Sequence, residues 1–424
     1  MEHLVTLLPW LIPTVGGCLT AALPPSRHSR VRRWAQTAIL LGICVSLVLA
    51  RGATTPEPVS SRAITSHLAF SYDQRGLSVA WLLLATLTVA NAGLIVKPLE
   101  RLESARQLAL VGMTLATVAA ANPFTLGVMW SLGDLLLMVV KLHDARQEEP
   151  RRLMRYGTSN LLSTMALTLA VILMGNEGDT LPTGLLAALA PASASWLALA
   201  AFSRMGVYPL PNRHGSMWEV DLASTCTGIY LWLYLGAMPS PGLARLPALV
   251  IALSLLAMGL LANRATDFTS AWVSISIYSV LLSLLPMVLG GDGDVAATLS
   301  LITVWAFCLG LRHLYIRASV PNEIAPWWRA PMILALAALS GLPLTLGFTA
   351  RRALLGVCWR AGRWDLILAV TVASLLVATA LWQQLDRLLA SQDDYERPDW
   401  PKQVSLGTTA LLAAALMVGG VCPP

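Results

Sequence analysis

Apolar segments of membrane-spanning length follow one another along almost the whole chain and are joined by short polar connections. A helix needs about 20 mainly apolar residues to cross a bilayer, so a chain of 424 residues has room for roughly 14 spans. Hydrophobic residues make up 56% of the chain and charged residues 12%, and the mean hydropathy is +0.65. Soluble domains carry about twice this charge content. The sequence therefore predicts an all-α polytopic membrane protein with a single transmembrane domain.

The predicted spans leave no room for a separate soluble domain. We place them near residues 5–23, 35–51, 76–96, 107–121, 124–142, 158–174, 185–206, 220–237, 243–262, 270–289, 296–316, 329–348, 364–384 and 404–421. The N-terminal sequence Met1-Glu2-His3 lacks the basic region of a signal peptide. We therefore expect the first span to remain in the mature protein.

The distribution of Lys and Arg over short loops predicts the orientation of the spans. Two basic loops follow the first and the fifth span, with Arg27, Arg30, Arg32 and Arg33 in one and Lys141, Arg146, Arg151, Arg152 and Arg155 in the other. Fourteen spans then put both termini on the non-cytoplasmic side. A cluster of four arginines breaks the alternation, namely Arg351, Arg352, Arg360 and Arg363. This cluster indicates either a miscounted span or a broken, longer twelfth helix.

The residue types that bind cofactors show no recognisable pattern. The six cysteines have no CxxC or Cys/His spacing, which argues against iron-sulfur, zinc and haem sites. The chain has no GxGxxG, P-loop, GxSxG or HExxH motif either. The net charge of +6 is explained by the topological bias of the loops rather than by a nucleic-acid-binding surface. We expect no metal site and no cofactor bound by this chain.

Lysine is rare in this chain. Lys97, Lys141 and Lys402 are the three lysines, and all three are interpreted as loop or helix-end residues. A buried lysine can release its proton, because desolvation disfavours the ammonium, whereas a buried arginine stays charged. The sequence therefore predicts little of the chemistry that a lysine-based proton relay needs.

Residues 340–348 read SGLPLTLGF and are followed by Thr349, Ala350 and Arg351. This stretch resembles the SxxGLPPTxGFxxK motif of the antiporter-like subunits of respiratory complex I, multisubunit Na+/H+ antiporters and membrane-bound hydrogenases. Gly341, Pro343 and Gly347 favour a broken transmembrane helix, which is tolerated where the freed backbone lines a polar cavity or is covered by protein. A short loop between two helices is the alternative.

Residues 201–210 read AFSRMGVYPL and resemble FxxKxGxxPLHxWLPxAH of the same family. Arg204 takes the lysine position, Pro209 matches the helix break, and His214 is a shifted counterpart of the histidine. The WLPxAH continuation is absent. A helix that starts at Ala192 places Arg204 about 18 Å along its axis and near mid-membrane. A helix that starts at Thr183 makes Arg204 a snorkelling residue at the cytoplasmic end.

Residues 130–135 read WSLGDL and resemble WExxSL on the fifth helix of the family. In that register Ser131 replaces the glutamate, and Asp134 follows one turn later on the same face. Asp134 is expected about 15 Å into its helix, near mid-membrane. A carboxylate at this depth has either a functional or pairing role or is a neutral, hydrogen-bonded side chain. A permanent buried ion pair of Asp134 with Arg204 is one such role, and it would hold helices but be poorly suited to passing protons.

Three weaker candidates complete the set of ion-pathway residues. Asp267 precedes AWVSIS, which resembles a segment of the family with an acid two residues farther away. Arg312 and His313 are displaced counterparts of the eleventh-helix lysine. His313 titrates near neutral pH without a large perturbation, although a histidine at a helix end is commonly interfacial.

The resemblance implies a fold of 14 helices with two inverted five-helix repeats and breaks in helices 7 and 12. On this reading residues 1–106 form helices 1–3, residues 107–237 and 243–384 form the repeats, and residues 404–421 form the final helix. It also implies partner membrane subunits, protons or cations as the transported species, and a bacterial inner membrane location.

Three functions stay open from the sequence alone. The first is a divergent subunit of an ion-translocating complex in which the relay residues are reduced or lost. The second is a non-conducting scaffold subunit of such a complex, and the third is a stand-alone secondary transporter. The sequence does not distinguish complex I, a hydrogenase, a cation antiporter and an inorganic-carbon uptake complex as the home assembly.

Overall fold

The structure of the protein is a computed structural model. The structure describes residues 2–22, 29–52, 68, 70–91, 101–144, 150–174, 191–207, 218–235, 241–289, 294–318, 326–343 and 345–390. The predicted last span, residues 404–421, and the candidates Pro209 and His214 lie outside these residues.

The described part of the chain is all-helical, apart from one isolated bridge between Phe70 and Ala120. The helices are α1 (Glu2–Ala22), α2 (Ser29–Gly52), α3 (Gln74–Asn91), α4 (Arg101–Val118), α5 (Pro123–Asp144), α6 (Pro150–Met174), α7 (Pro191–Arg204), α8 (Trp218–Leu235), α9 (Pro241–Arg264), α10 (Phe268–Leu289), α11 (Asp294–Ala318), α12 (Pro326–Ser340), α13 (Leu346–Arg360) and α14 (Trp364–Ala390). Each predicted span in the described part overlaps one helix, except the twelfth, which the chain divides between α12 and α13.

Six helices in the described part are long and apolar enough to cross a membrane. Their apolar stretches are Pro123–Leu142, Met154–Met174, Pro247–Arg264, Phe268–Leu289, Val295–His313 and Trp364–Gln384. Shorter apolar stretches occur in α1 and α2, over Thr6–Ala22 and Ala35–Arg51. The expected class, an all-α polytopic membrane protein, agrees with these helices, while the count of 14 spans stays a prediction.

The helices form two compact units. Unit 1 contains residues 1–84, 99–213 and 219–239, and unit 2 contains residues 85–98, 214–218 and 240–424. In unit 1, α1 packs on α2 and α4, and α6 packs on α5 and α7. In unit 2, α9 packs on α10 and α14.

Helix α10 is the most deeply buried span of unit 2. Its apolar window is 83% buried, whereas that of α14 is 33% buried. A helix that is apolar all round is expected in an interior, and α10 packs against α9, α11, α13 and α14. The partly exposed α14 presents Leu368, Leu375 and Trp382 outward, as a helix at a lipid or subunit boundary does.

The twelfth predicted span is interrupted at the motif SGLPLTLGF. Helix α12 ends at Ser340 with Gly341 at φ 75°. The N–H of Gly341 bonds to the carbonyl of Ala338, and that of Leu342 bonds to Ala337, both at 3.1 Å. This is a Schellman motif, which needs the left-handed conformation that glycine adopts without strain.

Helix α13 restarts within a few residues of this break. The side-chain oxygen of Thr345 caps it by accepting the N–H of Phe348. Each half has 15 residues, or about 22 Å, which is shorter than the roughly 30 Å hydrocarbon core. The lengths therefore favour one broken membrane helix over two helices joined by a loop.

Gly347 permits the close approach of α13 to α12. A Cβ added at Gly347 would overlap the carbonyl oxygen of Ala338, which is a backbone atom and cannot rotate away. We therefore expect Gly347→Ala to lower the stability of the protein by about 1–3 kcal/mol, because the two half-helices must separate. Thermal unfolding of the purified protein in detergent measures this.

Gly356→Ala is the matched control in the same helix. A Cβ at Gly356 meets no atom within 4 Å, and alanine favours a helix over glycine by about 0.5–1 kcal/mol. Equal melting temperatures for the two variants would contradict the close contact at Gly347.

Candidate functional site

A buried ion pair lies inside unit 1. Asp134, on the middle of α5, and Arg204, the last residue of α7, form a salt bridge between Oδ1 and Nη1. Asp134 is 8% exposed and Arg204 is 3% exposed. Because α7 begins at Pro191, Arg204 lies about 20 Å along the helix. Of the two alternatives that the sequence left open, this placement agrees with a buried Arg204 and not with a snorkelling one.

Neighbouring helices supply partners to both charges. The hydroxyl of Thr164, on α6, donates to Oδ2 of Asp134. Nε of Arg204 donates to Oγ1 of Thr227, on α8, at 3.2 Å. The guanidinium also stacks over the ring of Trp130 on α5, 4.8 Å from its centroid, an arrangement that arginine favours. Four helices therefore hold this pair.

Small residues let α6 and α7 approach closely next to the pair. The hydroxyl of Ser159 donates to the carbonyl of Ser203 at 3.0 Å, and that of Ser203 donates back to the carbonyl of Ser159 at 2.9 Å. Ser163 donates to the carbonyl of Ala200 at 3.0 Å. Hydroxyl-to-backbone bonds of this kind stabilise helix contacts in membranes. They fix the end of α7, and hence the position of Arg204.

Helix α7 ends directly after Arg204. Gly206 has φ 64°, and its N–H bonds to Ser203 while that of Val207 bonds to Phe202. This second Schellman motif ends a helix inside the protein, where the C-terminal partial charge is negative. A cation at the last turn compensates this charge, so the helix end and Asp134 both stabilise the guanidinium.

Two small cavities meet at Arg204. The threonine cavity is lined by Thr114, Thr117 and Thr227, by Arg204 and by apolar residues such as Leu110 and Leu137. The tyrosine cavity is lined mainly by polar residues, namely Tyr156, Ser159, Asn160, Ser203, Asp221 and Ser224 together with Arg204. The guanidinium thus borders both cavities.

The chemistry of the pair is that of fixed charge. A guanidinium keeps its proton under all conditions of protein chemistry, and here it lies against the carboxyl group of Asp134. A relay needs groups that alternate between protonation states. The pair can therefore hold helices and set the local electrostatic potential, but it is poorly suited to passing a proton.

Ser131 does not belong to this site. Its side chain is exposed, and its hydroxyl donates to the carbonyl of Gly127 in its own helix at 2.8 Å. Ser131 and Asp134 were expected on the same face of α5, but Asp134 is buried whereas Ser131 is exposed. Three residues rotate a helix by about 300°, and the remaining 60° moves Ser131 onto the outer surface of α5.

The three weaker candidates occupy separate positions in unit 2. Asp267 is exposed and caps α10, where Oδ2 accepts the N–H of Ser270 at 2.9 Å. Hydrogen bonds from the side chain and the backbone of Ser270 hold the pKa of Asp267 below its usual range. Arg312 is buried, 5.2 Å from the ring centroid of Trp272. His313 is half-buried against the ring of Trp218.

Arg351 binds the end of the broken helix. Its guanidinium donates to the carbonyls of Ser340 and Leu339, the last residues of α12. It also lies over the ring of Tyr278 on α10, 5.5 Å from the centroid. The last carbonyls of a helix have no partner within it, so Arg351 supplies hydrogen bonds and a positive charge where both are needed.

This contact changes the interpretation of the arginine cluster that broke the loop-charge pattern. Arg351 is 8% exposed and is not a loop residue. Arg363 forms a salt bridge with Asp365 at 2.8 Å. Arg352 and Arg360 remain as the exposed members of the cluster. Two exposed arginines, rather than four, therefore contribute to the loop-charge pattern on this side. This smaller exception is in line with the expected broken twelfth helix.

Lys141 was missed as a site residue by the sequence interpretation. It lies in the last turn of α5, in agreement with its interpretation as a helix-end residue, but its side chain is only 1% exposed. Its Nζ is 5.1 Å from the ring centroid of Tyr156. The available signal was its spacing of seven residues from Asp134, which places both on one face of a helix.

No metal-binding cluster of three or more His, Cys, Asp or Glu side chains occurs in the described part of the chain. The described cysteines are free thiols, of which Cys226, Cys308 and Cys358 are buried.

Neither a known family model nor a curated protein matches the sequence. Solved structures do match the fold. A chain of the archaeal membrane-bound sulfane sulfur reductase, a respiratory membrane complex, aligns over 98% of this chain and 76% of its own length, with a TM-score of 0.79 and 16% identity. A chain of the Mrp complex from Dietzia sp. DQ12-45-1b aligns over 99% of this chain but only 50% of its own length, with a TM-score of 0.73 and 17% identity.

A third match covers almost the whole of both chains. A chain of respiratory complex I from Thermus thermophilus aligns over 99% of this chain and 96% of its own length, with a TM-score of 0.74 and 19% identity. The chain shares its fold with these three chains. The expected all-helical membrane fold agrees with this likeness, while the 14 spans and the two inverted repeats stay predictions. At these identities the likeness concerns the fold alone.

The contribution of the ion pair to stability can be measured with paired substitutions. We expect Asp134→Leu to destabilise the protein by about 3–5 kcal/mol, because it leaves the Arg204 guanidinium buried without its counter-charge. The double variant Asp134→Leu/Arg204→Met removes both charges and should recover most of the loss. Thermal unfolding of the three proteins in the same lipid or detergent gives the comparison.

The exposed pair Arg363–Asp365 is the control for this comparison. Surface pairs contribute about 0–1 kcal/mol, so Asp365→Asn should change the melting temperature little. A double variant no more stable than Asp134→Leu alone would show that the charges at Asp134 and Arg204 are not coupled.

Proposed function

We propose that this chain is a divergent antiporter-like membrane subunit of a multisubunit complex that translocates protons or cations, with reduced relay chemistry in unit 1. The single observation that carries the second half of this proposal is the Asp134–Arg204 pair, in which an arginine borders two small cavities. The fold, shared with chains of two respiratory complexes and of an Mrp complex, supports the first half.

Two inverted repeats, α4–α8 and α9–α14, are part of the proposal. Each unit contains a helix that ends inside it on a left-handed glycine, Gly206 in one and Gly341 in the other. Each places a buried arginine near that end over an aromatic ring of the second helix of the repeat. These pairs are Arg204 with Trp130 on α5 and Arg351 with Tyr278 on α10. The recurrence of this arrangement supports an internal duplication.

Other membrane subunits are the proposed partners, in a bacterial inner membrane with both termini on the non-cytoplasmic side. The outward apolar residues of α5, α6 and α14 support a location among lipids and neighbouring helices, as shown by Leu135, Met165 and Leu375, each more than 60% exposed. Protons or cations are the proposed transported species, and no cofactor is assigned to this chain.

A non-conducting scaffold subunit is the second candidate, and the permanence of the Arg204 charge favours it. A stand-alone anion transporter has less support. The two arginines that would attract an anion are already engaged, Arg204 with Asp134 and Arg351 with the carbonyls that end α12.

Purification tests the subunit assignment. We expect the tagged native protein, extracted in mild detergent, to retain other membrane subunits that mass spectrometry identifies, since the solved chains of this fold come from multisubunit complexes. Iron-sulfur, flavin or hydrogenase subunits among them would specify an electron-transfer assembly. Isolation of the protein as a stable, lone monomer would contradict both hypotheses in which the chain is a subunit of a complex.

Arg204→Lys tests the fixed-charge interpretation. A lysine at this position keeps the positive charge but can release its proton, so we expect the variant to conduct protons faster than the wild-type chain, by about tenfold or more if deprotonation is the barrier. A fluorescent pH indicator in liposomes under an imposed potential measures the flux.

Arg352→Lys, at an exposed position on α13, controls for lysine introduction and should not differ from wild type. Equal flux through the wild-type chain and Arg204→Lys would show that the guanidinium is not the barrier.

A further inference from the structure

An exposed basic strip runs along α13. We define the strip as Arg352, Ala353, Gly356 and Arg360, of which the two arginines are exposed. They are eight residues apart, which places them about 12 Å apart along the helix axis and about 80° apart around it. Among the described residues, neither arginine belongs to a salt bridge. The strip therefore carries two positive charges without a counter-charge in the described part of the chain.

Small residues separate the two arginines of the strip. Ala353 and Gly356 lie between them on the same side of α13. A Cβ added at Gly356 would meet no atom within 4 Å, so the surface at this point is open. The long, flexible stem of Arg352 therefore has room to extend over Gly356 towards Arg360, in the way that arginines near the ends of membrane helices snorkel.

Two tryptophans place Arg360 at the membrane boundary. Trp359 and Trp364 are 63% and 59% exposed, and their ring centroids are 4.4 Å apart. The apolar span of α14 begins at Trp364, and exposed tryptophans concentrate where lipid meets water. Arg360 thus lies at the level of the lipid headgroups, whereas Arg352 starts about 12 Å deeper and extends towards that level.

The nearest acid in the sequence is already paired. Asp365 is the only acidic residue between Glu323 and Asp386. It accepts two hydrogen bonds from Arg363, one from Nε to Oδ1 at 2.9 Å and one from Nη2 to Oδ2 at 2.8 Å. Two parallel bonds of this kind form a specific arginine–carboxylate pair. We therefore expect the counter-charge for the strip to come from another molecule.

The neighbouring surface of α14 is suited to acyl chains. Leu368 and Leu375 are 67% and 62% exposed, and they share the face of α14 that carries Trp364, which they follow by four and eleven residues. Guanidinium groups bind phosphate through charge-assisted hydrogen bonds. A phospholipid supplies a phosphate and acyl chains in one molecule. The combination of the strip with this apolar face therefore favours an anionic phospholipid over an acidic protein surface.

We propose that the basic strip of α13 binds the phosphate of an anionic phospholipid. Arg360 contacts the phosphate at the membrane boundary, Arg352 extends to it over Gly356, and the acyl chains lie against the apolar face below Trp364. The negative charge of the lipid compensates the two arginines. This occupant also accounts for the arginines that depart from the predicted loop-charge pattern. The site is a property of this chain in a bilayer and does not depend on the proposed function.

Native mass spectrometry of the full-length chain measures the lipid preference. The purified protein in detergent is incubated with equal amounts of phosphatidylglycerol, which is anionic, and phosphatidylcholine, which has no net charge. We expect the wild-type chain to retain phosphatidylglycerol preferentially. Arg352→Gln/Arg360→Gln should reduce this preference by about tenfold or more, because charge-assisted hydrogen bonds to the phosphate are lost.

Two further variants separate this site from a general effect of charge. Arg155→Gln/Arg264→Gln removes two exposed arginines on α6 and α9 and should keep the preference. Gly356→Leu keeps every charge but fills the open surface of the strip, so it should weaken retention of phosphatidylglycerol. All of these positions lie on the surface, so the melting temperatures in phosphatidylcholine alone should differ little from that of the wild type.

Equal retention of the two lipids by the wild-type chain overturns the proposal. A preference that survives Arg352→Gln/Arg360→Gln overturns the assignment of the site to α13. Loss of a co-purifying membrane subunit from this variant, with an unchanged lipid ratio, overturns it in favour of an acidic protein surface. The lipid ratio is measured on the isolated chain, so failure of this site and failure of the subunit assignment are distinguishable.

Discussion

The cost of placing a positive charge among apolar helices organises this structure. Arg204, Arg351 and Lys141 are each less than 10% exposed, and an isolated charge at such depth is strongly unfavourable. Each therefore lies where the protein supplies compensation. A carboxylate and a helix end surround Arg204, two carbonyls bind Arg351, and an aromatic ring covers Lys141. The ends of α7 and α12 inside the protein follow from the same requirement, since interrupted helices expose the carbonyls that cations need.

The buried charges of the two arginines are compensated in different ways. Arg204 is contributed by the helix that ends, and its counter-charge comes from α5. Arg351 is contributed by the helix that restarts, and it binds the carbonyls of the half-helix before it. The first arrangement borders two cavities, whereas the second is directed at the backbone. Arg204 therefore borders small cavities in unit 1, whereas Arg351 in unit 2 stabilises the end of α12 by binding its last carbonyls.

Much of this could be predicted from the sequence because membrane constraints are strong. Apolar length predicted the helices, and the glycines and proline of SGLPLTLGF indicated the break that appears between Ser340 and Leu346. Asp134 and Arg204 were both identified, since a charge in an apolar segment is conspicuous, and a buried ion pair between them was one of the hypotheses that the sequence allowed. The Thr164, Thr227 and Trp130 partners of this pair depend on the packing of α5 to α8, which no local pattern contains.

The failures have physical reasons as well. Ser131 was assigned to the site through a motif register, yet a rotation of 60° on a helix separates a buried from an exposed face. The burial of Lys141 was missed because a basic residue near the end of an apolar segment usually marks the membrane surface. Here α5 continues to Asp144 and Tyr156 covers the ammonium. Burial of this kind depends on a neighbouring helix and leaves little trace in composition.

The turn between α13 and α14 indicates how deep the broken helix lies in the membrane. Trp359 and Trp364 are exposed there and pack edge to face, 4.4 Å apart, and tryptophans with this exposure settle at the boundary between lipid and water. Arg351 lies nine residues before Arg360 on the same helix, or about 13 Å below that boundary. Helix α13 therefore acts as a spacer of fixed length. The number of residues between Arg351 and the end of α13, rather than any property of the arginine, determines how deep the positive charge of Arg351 lies in the bilayer.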